Sequence, residues 1–464
     1  MATERESNSA LARVVSQANL SNKSLAARVC AEAARRGITA SPDHVAVRRW
    51  MDGMRPHDDT IRCIVAVLSA RLGREVKPEQ IGFELKRRPM ASDAVADGAR
   101  YPADAATAVS LLDMLAGADM SDDPEVMRAS WVSDAAPGVI TGYLFSSPVW
   151  RDGSPSIDLV GSSIADRIRE FTRHLTDLDF QYGGGHVRRM LLFYFRNEIA
   201  PLLRKTYPES TRREILSAAT GVAQLLGWSA YDAGRHGLSQ RYYMQGLRLA
   251  QEAEDPVFGA YLLSDLSHQA NYLGRYNDAL QFARAAQTSA AGKASHTVNA
   301  MFLAMEARAL ASSGDSQSCA QVLHRAEQTF ARRDPDKDPP WISYFDELEM
   351  AGEAAHCFRD LGQPRETQLF AARAMDPIAT PARTQGFISM VTAAGAFNAG
   401  NLDEALSFAT AAVDLTGSLE SSRYLRYLAD FHQSVTQRHA THPAVKEFSG
   451  LLASTYPDLN LRVG

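Results

Sequence analysis

Apolar and small residues follow a helical spacing through most of this chain, and glycines interrupt them at nearly regular intervals. Gly234, Gly274 and Gly314 are 40 residues apart, and Gly362 and Gly400 extend the series with spacings of 48 and 38. A period of this size is typical of stacked helical pairs rather than of one globular core. The pattern therefore predicts five helical hairpins that turn at these glycines.

A small residue precedes each of the five glycines by seven positions, where the two helices of a hairpin would cross. Small side chains at a crossing let the two backbones approach each other. Partial repeats are expected at about 188–205 and 424–452. The pattern resembles the tetratricopeptide repeat and predicts a right-handed helical superhelix. An irregular helical bundle is the alternative. The small residues are Gly227, Ser267, Ala307, Ala355 and Ala393.

The register of the repeats predicts which side chains line the groove of such a superhelix. With the turn glycine at position 15, positions 5, 9, 12 and 13 of the first helices face the groove. A mixture of aromatic, amide and cationic groups suits a peptide, protein or small-molecule ligand. Packing between neighbouring helices is the alternative for several of these residues. The candidate groove residues are Gln224, Trp228, Tyr231, Asp232, Ser264, His268, Asn271, Tyr272, Arg308, His356 and Arg359.

The N-terminal part of the chain has the apolar spacing of four short helices. Ser41 and Pro42 predict the start of the third, which would end near Met51, because serine is a good N-cap and proline is favoured at the first helical position. Val47 and Trp50 are spaced to be buried on this helix. The opposite face of the third helix would then point outward.

That outward face predicts a DNA-binding surface. Arginine can donate two hydrogen bonds to guanine and also pairs with phosphate. The alternative is that these arginines form an ordinary solvated face. Contacts to the DNA backbone are further predicted for Arg36, Arg87 and Arg88. The candidate DNA-binding residues are Ser41, His44, Val45, Arg48, Arg49 and Arg55.

The net charge of −5 over 464 residues hides a strong asymmetry. Residues 1–89 contain 16 Lys and Arg against 10 Asp and Glu, whereas the rest contains 33 against 44. A basic head favours a polyanionic partner such as double-stranded DNA, and the acidic remainder does not.

Three segments are predicted. Residues 1–89 would form a helix-turn-helix domain, 90–160 a linker and connecting region, and 161–464 a tetratricopeptide-like repeat domain. Within the middle segment, residues 91–107 have linker composition and Pro137–Phe145 has the composition of a strand. The predicted fold class is all-α.

The sequence predicts a cytoplasmic protein. The N-terminus is polar and lacks the apolar core of a signal peptide. No apolar run of about 18 residues is present, so no membrane span is expected. The four cysteines are scattered and form no CxxC pair, which favours free thiols in a reducing compartment.

No convincing catalytic, cofactor or metal motif is found. Gly183–His186 lacks the Lys-Ser/Thr that follows the glycines of a phosphate loop. Asp334–Asp338 opens like a calcium loop, but the sixth position is Pro339 instead of glycine. His439 and His442 lack partner ligands. We therefore expect neither an enzyme nor a bound cofactor or metal.

The N-terminal pattern resembles the repressor-type, Cro/C1-like helix-turn-helix. The matching positions run from Leu25 to Pro56, with Val47, Trp50 and Gly53 between them. Two departures are a longer connection between the helices of the motif, predicted over residues 31–40, and a tryptophan in place of the usual aliphatic residue.

The whole chain resembles a group of actinobacterial transcriptional regulators, best known from Streptomyces, that join a divergent helix-turn-helix to tetratricopeptide repeats. Three segments carry this resemblance: Ala135–Phe145, Leu178–His186 and Leu226–Gly237. It implies a signal-responsive, DNA-binding regulator of development or secondary metabolism, with a homodimer as a possible assembly. A repeat-based signalling adaptor without DNA binding is the alternative function.

Overall fold

Helices make up all the regular structure in the described part of the chain, which confirms the predicted all-α class. The chain divides into two compact units, Met1–Met90 and Ala91–Gly464. The computed structural model describes residues 7–35, 40–83, 91–148, 161–376, 378, 380–416, 421–457 and 459.

The first unit is a small bundle around one apolar core. Val47 and Trp50 are buried in this core, as their spacing predicts, and α3 packs against α1 and α2. Gly73 ends α4 in the left-handed conformation that glycine adopts readily. The helices are α1 (Ser9–Gln17), α2 (Asn22–Arg35), α3 (His44–Met51) and α4 (Asp58–Leu72), followed by a 3₁₀ turn, Pro78–Ile81.

The start of α3 differs from the prediction. Its N-cap is Asp43, whose side chain accepts a hydrogen bond from the backbone N–H of Ala46, and Ser41 lies outside the helix. Aspartate competes well for the N-cap because its carboxylate also favours the positive end of the helix dipole. Residues 31–35, which were predicted to lie in the connection between the two helices, belong to α2.

The second unit begins with helices that the sequence did not predict correctly. The strand predicted at Pro137–Phe145 is wrong, because these residues lie in a helix that packs against two hairpin helices. Residues 91–107 contain one complete helix and the start of another. The partial hairpin expected at 188–205 is a nearly continuous helical run. The helices are α5 (Ala91–Gly98), α6 (Ala105–Met120), α7 (Pro124–Met127), α8 (Ala135–Phe145), α9 (Gly161–Tyr182), α10 (Gly184–Tyr194) and, after a π-helical turn, α11 (Ala200–Leu203).

Residues 209–455 form six successive helical hairpins. The first five turn at the predicted glycines, whose φ angles of 66° to 84° are rarely adopted by other residues. The partial repeat expected at about 424–452 is a complete sixth hairpin. The helical pairs are α12 (Glu209–Asp232) with α13 (His236–Glu252), α14 (Pro256–Tyr272) with α15 (Tyr276–Ser289), α16 (His296–Ser312) with α17 (Ser316–Phe330), α18 (Glu347–Asp360) with α19 (Pro364–Arg373), α20 (Ala382–Asn398) with α21 (Leu402–Thr416), and α22 (Ser422–His439) with α23 (Pro443–Thr455).

The small residues before the turns lie at helix crossings, as predicted. Ala307, Ala355 and Ala393 are completely buried. A Cβ atom at Gly227 would collide with the ring of Tyr243 on the second helix of the same hairpin. These positions therefore let the two helices of each hairpin pack closely.

The first helices of the six hairpins close into a ring. Each contacts the first helix of the next hairpin, and α22 of the last hairpin contacts α12 of the first. We call the space inside this ring the ring interior. Because α9 also packs against α12 and α20, the groove expected from the sequence is enclosed by the chain itself.

The outer side of the first hairpin is covered by residues 91–148. The side chain of Gln240 bonds both the N–H and the carbonyl of Val132, and Arg241 donates to the carbonyl of Val95 at 2.6 Å. A Cβ atom at Gly237 would meet the carbonyl oxygen of Ala129. These contacts explain why α13 is buried over almost its whole length.

Candidate functional sites

The outward face of α3 carries the predicted DNA-binding side chains. His44, Val45, Arg48 and Arg49 are exposed, whereas Val47 anchors the opposite face. Neither Arg48 nor Arg49 has an ion-pair or hydrogen-bond partner among the described residues. Two guanidinium groups are therefore available to an anionic partner.

The other members of the predicted DNA-binding set are placed differently. Arg55 is exposed but forms an ion pair with Asp58. Ser41 is exposed and does not cap α3; the capping carboxylate of Asp43 occupies that position. A negative group there opposes the approach of a phosphate to the start of α3. Any contact of this helix with an anionic partner is therefore more favourable at its middle and end.

Three further arginines predicted to contact the DNA backbone cannot be placed. Arg36, Arg87 and Arg88 lie outside the described residues. The prediction made for them stays a prediction.

The predicted groove residues lie on the first helices of the hairpins and face the ring interior. They are not freely exposed: six are buried and five are half-buried. The interior contains two cavities, which these residues line between them. Gln224, Trp228, Ser264 and His268 line the first cavity, and Asn271, Tyr272, Arg308 and Arg359 line the second.

The remaining three groove residues have structural contacts. Tyr231 is fully buried and its hydroxyl lies 3.0 Å from Nδ1 of His268. The ring of His356 packs edge-on against that of Tyr427. Asp232 forms ion pairs with Arg383 and Arg423 of the last two hairpins.

Asp232 joins the first hairpin to the fifth and sixth. Its Oδ1 atom accepts hydrogen bonds from Arg383 at 2.7 Å, from Arg423 at 2.9 Å and from the hydroxyl of Ser421 at 2.9 Å. The Asp232 side chain is completely buried. The guanidinium of Arg423 also lies 4.8 Å from the ring of Trp228. This cluster holds α12 against α20 and α22.

The first cavity is lined by carboxyl and aromatic side chains, and we call it the acidic cavity. Its volume is about 100 Å³. The carboxyl groups are those of Asp179, Asp265, Glu349 and Glu353. The aromatic rings are those of Phe180, Trp228, Tyr261, Tyr344 and Phe345.

The second cavity is rich in arginine, and we call it the arginine cavity. Its volume is about 450 Å³, and Arg308, Arg359 and Arg426 line it. Asp360 is 2.6 Å from Arg359 and also lines this cavity. The two cavities share an ion pair, because Arg308 bonds Glu353 of the acidic cavity at 2.8 Å.

Burial changes the protonation of groups in the acidic cavity. It raises the pKa of Asp179 to about 7 and that of Asp265 to about 8. Burial, together with repulsion from Glu353, also raises the pKa of Glu349. Burial and the nearby Arg308 lower the pKa of His268 well below its ordinary range, so this imidazole is neutral.

Sequence reasoning missed the carboxyl groups and Arg423. Asp265 stands within the largely apolar stretch Tyr261–Leu266, and an acid in such a stretch is a signal of a buried polar site. Arg423 lies on α22, the first helix of the sixth hairpin. The turn of this hairpin, 440–442, has no glycine, so the register counted from turn glycines did not extend to Arg423. Asp179 lies on α9, outside the repeats.

No three His, Cys, Asp or Glu side chains among the described residues are grouped closely enough to hold a metal ion. Separately, none of the described helices combines the length and apolar character needed to cross a bilayer.

Comparison with protein families gives a match in the first unit. Residues 11–84 match the model of a family described as the SP15 N-terminal domain. No curated protein matches the chain. The matched residues include most of α1, all of α2–α4 and the 3₁₀ turn that follows, so the first unit is similar to a domain found at the N-terminus of other proteins.

Proposed function

We propose that this chain is a signal-responsive transcriptional regulator. The first unit would bind double-stranded DNA through α3 as a divergent helix-turn-helix, and the six hairpins would form a tetratricopeptide-like domain that receives a ligand. The observation that carries the proposal is the unpaired pair Arg48 and Arg49 on the exposed face of α3. Their position agrees with the basic balance of residues 1–89.

The second unit supports a receptor role rather than a purely structural one. Its ring interior contains two cavities lined by polar and charged groups, although such groups are costly to bury. A ligand that fits one arrangement of the ring better than another would shift the population of the two arrangements. In a homodimer, such a shift would change the spacing of the two DNA-binding units.

A signalling adaptor without DNA binding is the second candidate function. The observation that favours it is Asp43, whose carboxylate caps α3 at the end that would otherwise attract phosphate. Under this alternative, the exposed face of α3 would contact an acidic protein instead. The proposed location in either case is the cytoplasm.

Gel-shift titration of the full chain against genomic fragments at several salt concentrations separates these functions. We expect a subset of fragments to bind, with log K falling linearly with log salt at about −0.9 per phosphate contacted. A chain that retains no fragment even at low salt would contradict the regulator and leave the adaptor.

A further inference from the structure

The acidic cavity contains more negative groups than its surroundings neutralise. Glu353 is paired with Arg308, but no ion pair involves Asp179, Asp265 or Glu349 in the part of the chain that the structure describes. Asp265 accepts one hydrogen bond, from the amide of Gln224 at 2.8 Å. Burying a carboxyl group without a counter-charge costs folding free energy. Three such groups at one cavity therefore point to a function.

Asp179 is the clearest case. Its side chain lines the cavity and the residue is only 2 % exposed, yet its Oδ1 atom has no hydrogen-bond partner among the described residues. Buried polar atoms in folded proteins nearly always have a partner. An unpaired oxygen that borders a cavity is available to bond a ligand.

The aromatic walls specify which kind of partner fits. Trp228, Tyr261 and Tyr344 line the same space as the carboxyl groups. Tyr261 is held in place by stacking on Trp341, with the two ring centroids 4.5 Å apart. Faces of aromatic rings attract organic cations, and carboxylates beside them add direct charge pairing. The four carboxyl groups are also not gathered around one point as metal ligands would be.

We propose that the acidic cavity binds a small organic cation that carries an ammonium or guanidinium group, and that this cation is the signal of the regulator proposed above. Asp179 would pair with the cationic head, and Asp265 and Glu349 would add negative charge elsewhere on the cavity wall. The cavity volume of about 100 Å³ is below that of sites for drug-sized ligands, so only a compact cation would fit.

The binding should depend on pH in a defined direction. Since the folded-state pKa values of Asp179 and Asp265 lie above those of the unfolded chain, the ligand-free protein loses stability as the pH rises through about 7 to 8. A bound cation favours the ionised carboxylates. Its affinity should therefore rise with pH up to about 7 to 8, by up to about tenfold per pH unit for each proton released, and level off at higher pH.

Asp179 and Asp265 face charged and polar side chains from several helices. Asp179 faces Arg383, Asp232 and Arg423. Asp265 faces the amide of Gln224 and, again, Arg423. The two arginines share the single carboxylate of Asp232, which leaves one positive charge to balance the carboxyl groups of Asp179, Asp265 and Glu349.

Glu349 has its own set of neighbours. It faces Glu353, Asp346, Arg308 and Arg423. Arg308 is paired with Glu353, and the remaining carboxylates repel Glu349. The charge balance at this side of the cavity is therefore also negative.

Isothermal titration calorimetry of the full chain with choline and with agmatine tests the proposal. At least one of them should bind, whereas 3,3-dimethylbutan-1-ol, a neutral analogue of choline, should not. Asp179→Asn should weaken cation binding by at least about tenfold, since it removes a direct charge pair. Asp177→Asn is the matched control, because this residue lies two positions earlier on α9 with an exposed side chain.

Thermal denaturation separates a ligand-binding role from a structural one. At about pH 9, above the raised pKa values, Asp179→Asn should melt at a higher temperature than the wild type, because the unpaired carboxylate is gone. A structural carboxylate would give the opposite result. Loss of cation binding together with increased stability is the expected pattern.

Four results would overturn the proposal. They are no binding of either cation, equal binding of the neutral alcohol, unchanged binding by Asp179→Asn, and tighter binding of a short arginine-containing peptide than of agmatine. None of these measurements involves DNA. A chain that binds the cation but no DNA would keep this site and lose the proposed regulator, and the reverse result would keep the regulator and lose this site.

Discussion

Replacing Asp232 by alanine is expected to lower the free energy of unfolding by about 3–5 kcal/mol. The carboxylate accepts hydrogen bonds from Arg383 and Arg423, whose side chains are 6 % and 10 % exposed. Without it, two buried guanidinium groups lose the only carboxylate with which they form an ion pair among the described residues. The cost comes from that uncompensated charge more than from the lost contacts.

Two controls accompany this experiment. Asp232→Asn keeps the volume of the side chain but removes its charge, so it should be nearly as destabilising as alanine. Asp430→Ala breaks the exposed pair with Arg426, whose side chain is 49 % exposed, and should cost less than about 1 kcal/mol. Chemical denaturation of the full chain provides the comparison. Equal effects of Asp232→Ala and Asp430→Ala would contradict the role assigned to the buried cluster.

The second large effect is expected on DNA binding. The double substitution Arg48→Ala and Arg49→Ala should weaken binding to a preferred fragment by at least about 30-fold, because each arginine contact to a base contributes about 1–3 kcal/mol. Folding should be unaffected, since both side chains are exposed and alanine is a good helix former. The salt dependence should also become shallower if either arginine contacts phosphate.

The expected loss of DNA binding does not come from the lower net charge alone. A double variant that removes the same charge elsewhere in the first unit is the control. Arg13→Ala with Arg28→Ala removes two exposed arginines from α1 and α2 of the same unit. It should reduce affinity for all fragments slightly and leave the preference among them intact. Equal loss of preference in both double variants would show that α3 is not the reading helix.

The sequence allowed much of the second unit to be predicted, because its turns have a strict local requirement. Each of the first five hairpins reverses direction at a residue with positive φ, and glycine adopts that conformation without strain. Burial at Ala307 and Ala393 follows from the same period. The orientation of α3 was predictable for a similar reason, since Val47 and Trp50 fix which face is buried.

The features that could not be predicted depend on distant parts of the chain. Ring closure joins Asp232 to Arg423, 191 positions later in the sequence. Residues 137–145 include several β-branched and aromatic residues, which suggest a strand. Contacts with α13 and α15 nevertheless stabilise a helix. Tertiary packing overrides local propensity there. Asp179 reaches the acidic cavity only because α9 packs against α12.

We propose above all that this chain reads DNA through the exposed face of α3, which carries Arg48 and Arg49. Chromatin immunoprecipitation of a tagged full-length copy, compared with the Arg48→Ala, Arg49→Ala double variant at equal abundance, tests it most directly. We predict discrete genomic sites that share a sequence motif for the wild type and loss of those sites for the double variant. The same sites in both, or none in either, would contradict the account.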